Sequence, residues 1–265
     1  MLMQIIFTLI FFFQTISVGA SEKNDISAYR HPEVSYESFE QWMIKRIRNV
    51  SLYKSSAIGS ATYFSENNLP DTTSWDSLST LEKRFQGVRN DRHLRWPRRP
   101  DFLRRISWLY PNDGCYARAA RAKIWFKARR IDVPGKVFAF GNLLVRTKNH
   151  PRGYVSWWYH VAPIIQVGKS HLVLDPSIDP SGPLPFRQWL SRMGNPAKIK
   201  VSICSPGAYS PRSRCSSETI GTSGTSAQKE FLEREWDQLK RMGRDPDELL
   251  GANPPWLDWP GFRLR

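Results

Sequence analysis

The apolar positions of this 265-residue chain change period several times, and each change marks an element. Ser38 to Asn49 sets Phe39, Trp42, Met43 and Ile47 at helical spacing, which predicts a short amphipathic helix. Ser55 to Thr80 is rich in Ser, Thr and Asn with no strong periodicity, and Arg92 to Pro100 is a basic, Pro-containing stretch that reads as a linker. From Tyr116 to Arg129 the chain carries Ala117, Ala119, Ala120, Ala122 and Ala128 without a Gly or Pro, so a helix is expected. β-Branched and aromatic residues then predict a strand at Lys136 to Phe140, open to continuation as far as Thr147, and another at Ser156 to Val167. Gly168-Lys169 is a tight turn into a third strand, Ser170 to Asp175, which Pro176 ends. A Pro/Gly loop at Pro176 to Pro185, a short helix at Phe186 to Met193 and a strand at Lys198 to Cys204 follow. Thr225 to Gln228 offers a helix start ahead of an apolar stripe of Leu232, Trp236 and Leu239, and the irregular, aromatic end at Asn253 to Pro260 is expected to pack down. The whole pattern is α+β, with a mostly antiparallel sheet.

The hairpin has a chemical consequence. A two-residue loop at Gly168-Lys169 sets Val167 opposite Ser170 and Asp175 opposite Ala162. His160 lies two residues from Ala162 on the same face, so Asp175 is its diagonal neighbour at a backbone separation of roughly 7 Å. An odd loop length or a bulge would put the two on opposite faces.

Cys115 completes the constellation. Asn112, Asp113 and Gly114 supply turn chemistry, and the helix begins directly after them. In that first turn the free N–H groups and the helix dipole favour a thiolate, and the same N–H groups suit an oxyanion. Cys115 would attack a carbonyl carbon, His160 would move the proton, and Asp175 would fix the imidazole tautomer.

The blocks YPNDGCYARA from Tyr110, FAFGNLLVRT from Phe138 and SWWYHVAPII from Ser156, then LDPS from Leu174, SGP from Ser181 and Trp189, resemble the bacterial protein-glutamine glutaminases, or protein glutamine deamidases. The resemblance covers Tyr110 to Trp189, roughly a third of the chain, and keeps the family's order of blocks. It implies a transglutaminase/cysteine-protease-like core with a catalytic helix packed against the sheet, and hydrolysis of glutamine side-chain amides to glutamate and ammonia. By matching, the nucleophile falls on Cys115, the histidine on His160 and the aspartate on Asp175. The substrates implied are proteins or peptides bearing glutamine. Within the matched blocks, Trp158 is expected to share His160's face, with core packing its plainer use and an aromatic wall beside the three residues the alternative, and Asn142 is a candidate to orient the carboxamide.

The first twenty residues carry no charged side chain, centre an apolar run on Ile5 to Phe13 and end in Val18-Gly19-Ala20, which reads as a secretory signal peptide. No Lys or Arg precedes the run, so an uncleaved anchor is the alternative. A secreted or periplasmic protein is expected, divided into the leader 1–20, an N-terminal extension 21–100 that is a candidate pro-segment, and a catalytic domain 101–265 with a helical, aromatic tail. Of three cysteines, Cys204 and Cys215 would suit a disulfide across a short loop, leaving Cys115 free, with two unlinked thiols as the alternative. The residues offer no zinc spacing, P-loop or dinucleotide fingerprint, so neither metal nor cofactor is expected.

Net charge is +15, and Lys83 to Arg130 alone holds fifteen basic and three acidic residues. Such a belt could attract anionic surfaces, although a solvated face is the plainer reading, and no nucleic-acid motif accompanies it. A monomer is expected. Two other readings stand beside deamidation: a transglutaminase or cysteine peptidase using the same three residues, and a basic envelope-binding or toxin-like protein whose thiol is incidental.

Overall fold

The computed structural model describes residues 54–92, 94–96, 99–218 and 223–250, with Ser38 and Gln41. The expected leader, the Ser38 to Asn49 helix apart from those two residues, and the aromatic end lie outside the described residues. In chain order come β1 (Thr62–Tyr63), α1 (Leu78–Asn90), β2 (Leu94–Trp96), β3 (Arg99–Arg104) and α2 (Cys115–Ala128). There follow β4 (Gly135–Arg146), β5 (Tyr154–Val167), β6 (Ser170–Val173), β7 (Leu184–Pro185), α3 (Phe186–Ser191), β8 (Lys200–Cys204), α4 (Ser223–Arg241) and α5 (Pro246–Leu250). Six strands form one sheet in the order β1-β8-β4-β5-β6-β7, every neighbouring pair antiparallel, while β2 and β3 pair apart from it. The expected α+β class, an antiparallel sheet with the Cys115 helix packed on it, is what forms.

Both faces of the central strands are covered, so their sequences are apolar almost throughout rather than alternating. On one face Val137, Ala139 and Leu143 of β4 and Ala162 and Ile164 of β5 pack against Phe186, Trp189 and Leu190 of α3. On the other, Phe138, Phe140, Tyr159 and Val161 meet Cys115 and Ala119 of α2. α2 is itself buried on more than one side. Its alanines let it sit close between the sheet and α4.

α4 braces the chain that leads into α2. Its apolar stripe, Phe231, Leu232, Trp236 and Leu239, is buried, and two polar side chains are buried with it. Gln228 Oε1 accepts the Ser107 N–H and hydroxyl at 3.2 Å each. Glu235 accepts the Leu109 N–H at 2.9 Å and pairs with Arg104 at 2.5 Å, both side chains nearly solvent-free. Burial lifts the Glu235 carboxyl above its usual range against the pull of Arg104 and the Leu109 N–H.

Two expectations are corrected here. Arg92 to Pro100 is no linker: most of it belongs to the β2–β3 hairpin, whose register slips between Arg95 and Trp96. α1 lies mostly beyond the Ser55 to Thr80 stretch, where no element was expected, and Leu81, Phe85 and Val88 at i, i+4 and i+7 bury one face behind a Ser77 cap that accepts the Thr80 N–H at 3.2 Å. The basic belt is not uniformly a solvated face either, because Arg89, Arg104, Arg105, Arg118 and Lys123 are buried. Cys204 and Cys215 form the expected disulfide, and Cys115 is the free cysteine.

Breaking the Arg104–Glu235 pair leaves a buried guanidinium without its carboxylate. Glu235→Ala is therefore expected to lower the unfolding free energy by about 3–5 kcal/mol, read from the denaturant midpoint at unchanged slope.

Candidate active site

The hairpin register is the expected one. Val167 pairs with Ser170, Ile165 with Leu172 and Ile164 with Val173, around a Gly168 with φ 60°. β6 ends at Val173, the Leu174 N–H still reaches the Pro163 carbonyl at 2.9 Å, and Asp175 then leaves the ladder. It turns onto the face of His160, and His160 Nε2 meets Asp175 Oδ2 at 2.7 Å.

Everything around the pair restrains it. Asp175 Oδ2 also accepts the Trp189 indole N–H at 2.9 Å, while Oδ1 accepts the Ser177 N–H at 3.2 Å and the Ser177 hydroxyl. The imidazole stacks on Trp157 with ring centroids 4.4 Å apart and planes 13° apart, and Trp189 stands 5.7 Å away. Burial works against both charges, yet it is outweighed. Asp175 and the neighbouring Cys115 push His160 up to about 9, and His160, Ser177 and Trp189 pull Asp175 down to about 2.

With Nε2 bound to Asp175, Nδ1 is the ring nitrogen left to exchange a proton. It is buried and makes no hydrogen bond with the described residues, and Cys115 lines the same pocket as the ring. Cys115 is the first residue of α2, so its own N–H has no acceptor within the helix. The turn before it requires glycine: Gly114 has φ 87°, and a Cβ there would stand 2.8 Å from the Phe231 ring. Arg118, one turn into the helix, reaches back with its guanidinium to the carbonyls of Tyr110 at 2.9 Å and Asp113 at 2.8 Å. The loop ahead of the thiol is thus fixed from both its ends.

Pro111, Asn112, Asp113, Trp157 and Tyr159 complete the pocket around Cys115 and His160. The Trp157 indole N–H is committed to the Pro111 carbonyl at 2.9 Å. Burial, and then the proximity of Cys115 and Asp113, hold the Tyr159 phenol well above its usual range, so it stays protonated. Tyr209, on the loop that the disulfide closes, is pushed up to about 12 by burial and by Asp113 and Cys115.

Cys115, His160 and Asp175 are therefore brought together, and two other candidates are not. Trp158 packs with Phe138, Phe140 and Tyr159 on the α2 face, and it is Trp157 that covers His160. The reason is an irregularity between Phe140 and Leu143, which pairs Leu143 with Trp157 and so puts Trp157, not Trp158, on the His160 side. Asn142 sits exposed in that irregular stretch, away from the pocket. Trp189 and Trp157 were the residues to find, and their signal was indole groups whose N–H must meet an acceptor when buried. Among the described residues no group of three His, Cys, Asp or Glu side chains is placed to hold a metal ion, and no helix is long and apolar enough to cross a membrane.

A thiol at a helix start, an imidazole and a carboxylate at an antiparallel sheet are the parts of nucleophilic acyl chemistry on an α+β fold. A protein-family model described as a glutaminase matches residues 81–193, a stretch that holds all three side chains. Over that stretch the chain is similar to the glutaminase family. Among solved structures it is similar to a pro-protein-glutaminase (21% identity, TM-score 0.47, covering 69% of this chain and 66% of that one, just short of two-thirds). It is also similar to the protein-glutaminase of Chryseobacterium proteolyticum (22% identity, TM-score 0.47, 62% and 89%) and to a further protein-glutaminase (22%, 0.44, 63% and 90%). No curated protein sequence matches it.

The displaced pKa values fix how stability follows pH. His160 stands near 9 in the fold against 6.5 free, so its contribution is full below about pH 6.5 and lost as pH rises through 9. Asp175 stands near 2 against 3.8, so its contribution is full above about pH 3.8 and lost as pH falls through 2. Thermal midpoints taken across pH should fall on both sides of that plateau, and His160→Gln should flatten the alkaline side; equal slopes for variant and wild type would refute the pairing.

Proposed function

We propose that the protein deamidates glutamine side chains in proteins or peptides through Cys115, His160 and Asp175. The observation that carries this is the buried His160–Asp175 bond, which leaves the imidazole's second nitrogen without a hydrogen-bond partner among the described residues, in the pocket of the free cysteine. His160 takes the thiol proton and Sγ bonds to the carboxamide carbon, sending the π pair to oxygen. The Cys115 N–H holds that oxyanion, with the protonated Tyr159 phenol as a second donor. As the tetrahedral centre collapses, His160 returns the proton to nitrogen, the C–N bond breaks and ammonia leaves a thioester. Water, deprotonated by His160, then adds to the thioester carbon, the C–S bond breaks, and glutamate and the free thiol result.

The rest of the reading comes from the sequence. It is an exported monomer with a leader at 1–20, an extension at 21–100 and a catalytic domain at 101–265. Trp75, Leu81 and Phe85 share one cluster with Leu109, Trp125 and Phe126, so a segment removed on maturation would lie ahead of them. The basic residues that stay exposed, such as Lys127 and Arg130, are the ones left to meet an anionic surface.

Incubating the protein with a glutamine-rich protein such as casein is expected to release ammonia and add about one dalton per site. Cys115→Ala should lose roughly four or more orders of magnitude in rate. Cross-linked products or cut backbone would instead favour the transglutaminase or peptidase reading, and full activity in Cys115→Ala would make the thiol incidental.

A further inference from the structure

The polar groups of the pocket are nearly all committed within the protein. The Trp157 N–H goes to the Pro111 carbonyl, the Arg118 guanidinium to the carbonyls of Tyr110 and Asp113, and His160 Nε2 to Asp175. Two buried side-chain atoms of the pocket are left without a partner among the described residues. One is His160 Nδ1, the proton-carrying nitrogen that the reaction uses, and the other is the acceptor Asn112 Oδ1, which is shielded from solvent. A buried carbonyl oxygen without a donor costs about 1–3 kcal/mol. This one is held in place nonetheless, because the backbone on either side of Asn112 is pinned through the carbonyls of Tyr110, Pro111 and Asp113.

The missing donor has a definite chemistry. It must bring an N–H or O–H into a pocket whose nucleophile attacks a carbonyl carbon, and a primary carboxamide brings two N–H groups on the nitrogen that leaves. We propose that Asn112 Oδ1 accepts one N–H of the substrate carboxamide, selecting amide over acid and orienting the leaving nitrogen; this rests on the deamidase reading. Holding one N–H fixes the amide plane. As Sγ bonds to carbon and the nitrogen becomes pyramidal, its new lone pair is then turned toward the proton on His160 Nδ1, which it takes as the C–N bond breaks. The product carboxylate has no N–H to offer. Its oxygen would face the Asn112 carbonyl oxygen in repulsion, which favours release of glutamate and disfavours its return.

The test compares two substrates that share one acyl-enzyme. A peptide with an internal glutamine and the same peptide with a glutamate γ-methyl ester give the same thioester, but only the first has an N–H on its leaving group. For Asn112→Ala, kcat/KM on the glutamine peptide should fall roughly 10- to 100-fold, while kcat/KM on the ester changes by less than about threefold and keeps the wild-type pH profile. Asn112→Ser, which keeps a short polar side chain in the turn but removes the carbonyl, should behave alike, and the ester rate reports that each variant is folded. An equal loss on both substrates would put Asn112 on the carbonyl oxygen or in the framework, and no loss on either would leave it without a role; both outcomes overturn the assignment. Wild-type protein acting on neither peptide would sink the deamidase reading itself, whereas a wild type that acts on both with a ratio unmoved by the variants sinks this assignment alone.

Discussion

The bond between His160 and Asp175 is the constraint around which this fold is arranged. Two ionisable groups buried to 1% and 4% exposure are costly unless every remaining valence is met, and the surroundings are organised to meet them. Trp189 and Ser177 supply three donors to the carboxylate beyond the imidazole. They can do so only because β6 stops at Val173 and frees Asp175 from the ladder, while α3 brings Trp189 over the same face. Had β6 run on beside β5, Asp175 would have remained in the ladder. The end of that strand is as much a part of the site as its side chains.

The other half of the site depends on a different part of the chain. Cys115 is placed by the loop of residues 104–114, and that loop is held by α4 through Gln228, Glu235 and the Phe231 ring over Gly114. α4 lies beyond residues 81–193, which carry the family match, so Cys115 is positioned by a helix outside the matched stretch. The Arg104–Glu235 pair shows how tightly the two are joined. An ion pair this deep contributes little net stability over well-packed apolar residues, but it admits few alternative dockings of α4. The buried arginines of the basic belt follow the same rule, with Arg118 stretched over backbone carbonyls rather than facing water.

What the sequence disclosed was local and periodic. The two-residue turn at Gly168-Lys169 determines parity, and parity alone is enough to put His160 and Asp175 on one side. The Gly114 turn and the alanine run after it placed Cys115 at a helix start, and an eleven-residue spacing suggested the disulfide. Trp158 does not share His160's face because of the irregularity between Phe140 and Leu143, since a change of register cannot be read from strand alternation that assumes none. The β2–β3 hairpin was hidden by its proline and arginine content. Those arginines look like solvated linker charges until a partner such as Glu235, more than a hundred residues later, is folded against one of them.

The distribution of satisfied and unsatisfied groups in the pocket is itself informative. The carboxylate, which must not move and must not lose its charge, has four donors. The two buried pocket atoms without partners among the described residues, His160 Nδ1 and Asn112 Oδ1, stand on opposite flanks of the cysteine's position in sequence, one from the sheet and one from the turn. A fold optimised for stability alone would have closed both, since each is worth about 1–3 kcal/mol when paired. Leaving the Asn112 carbonyl oxygen open while saturating the charge keeps the cost small and that opening specific, because a neutral acceptor rewards an N–H donor but offers little to a carboxylate. The chemistry of a carboxamide, one electrophilic carbon and two N–H groups on the atom that departs, matches that pattern of openings more closely than an ester or an acid does.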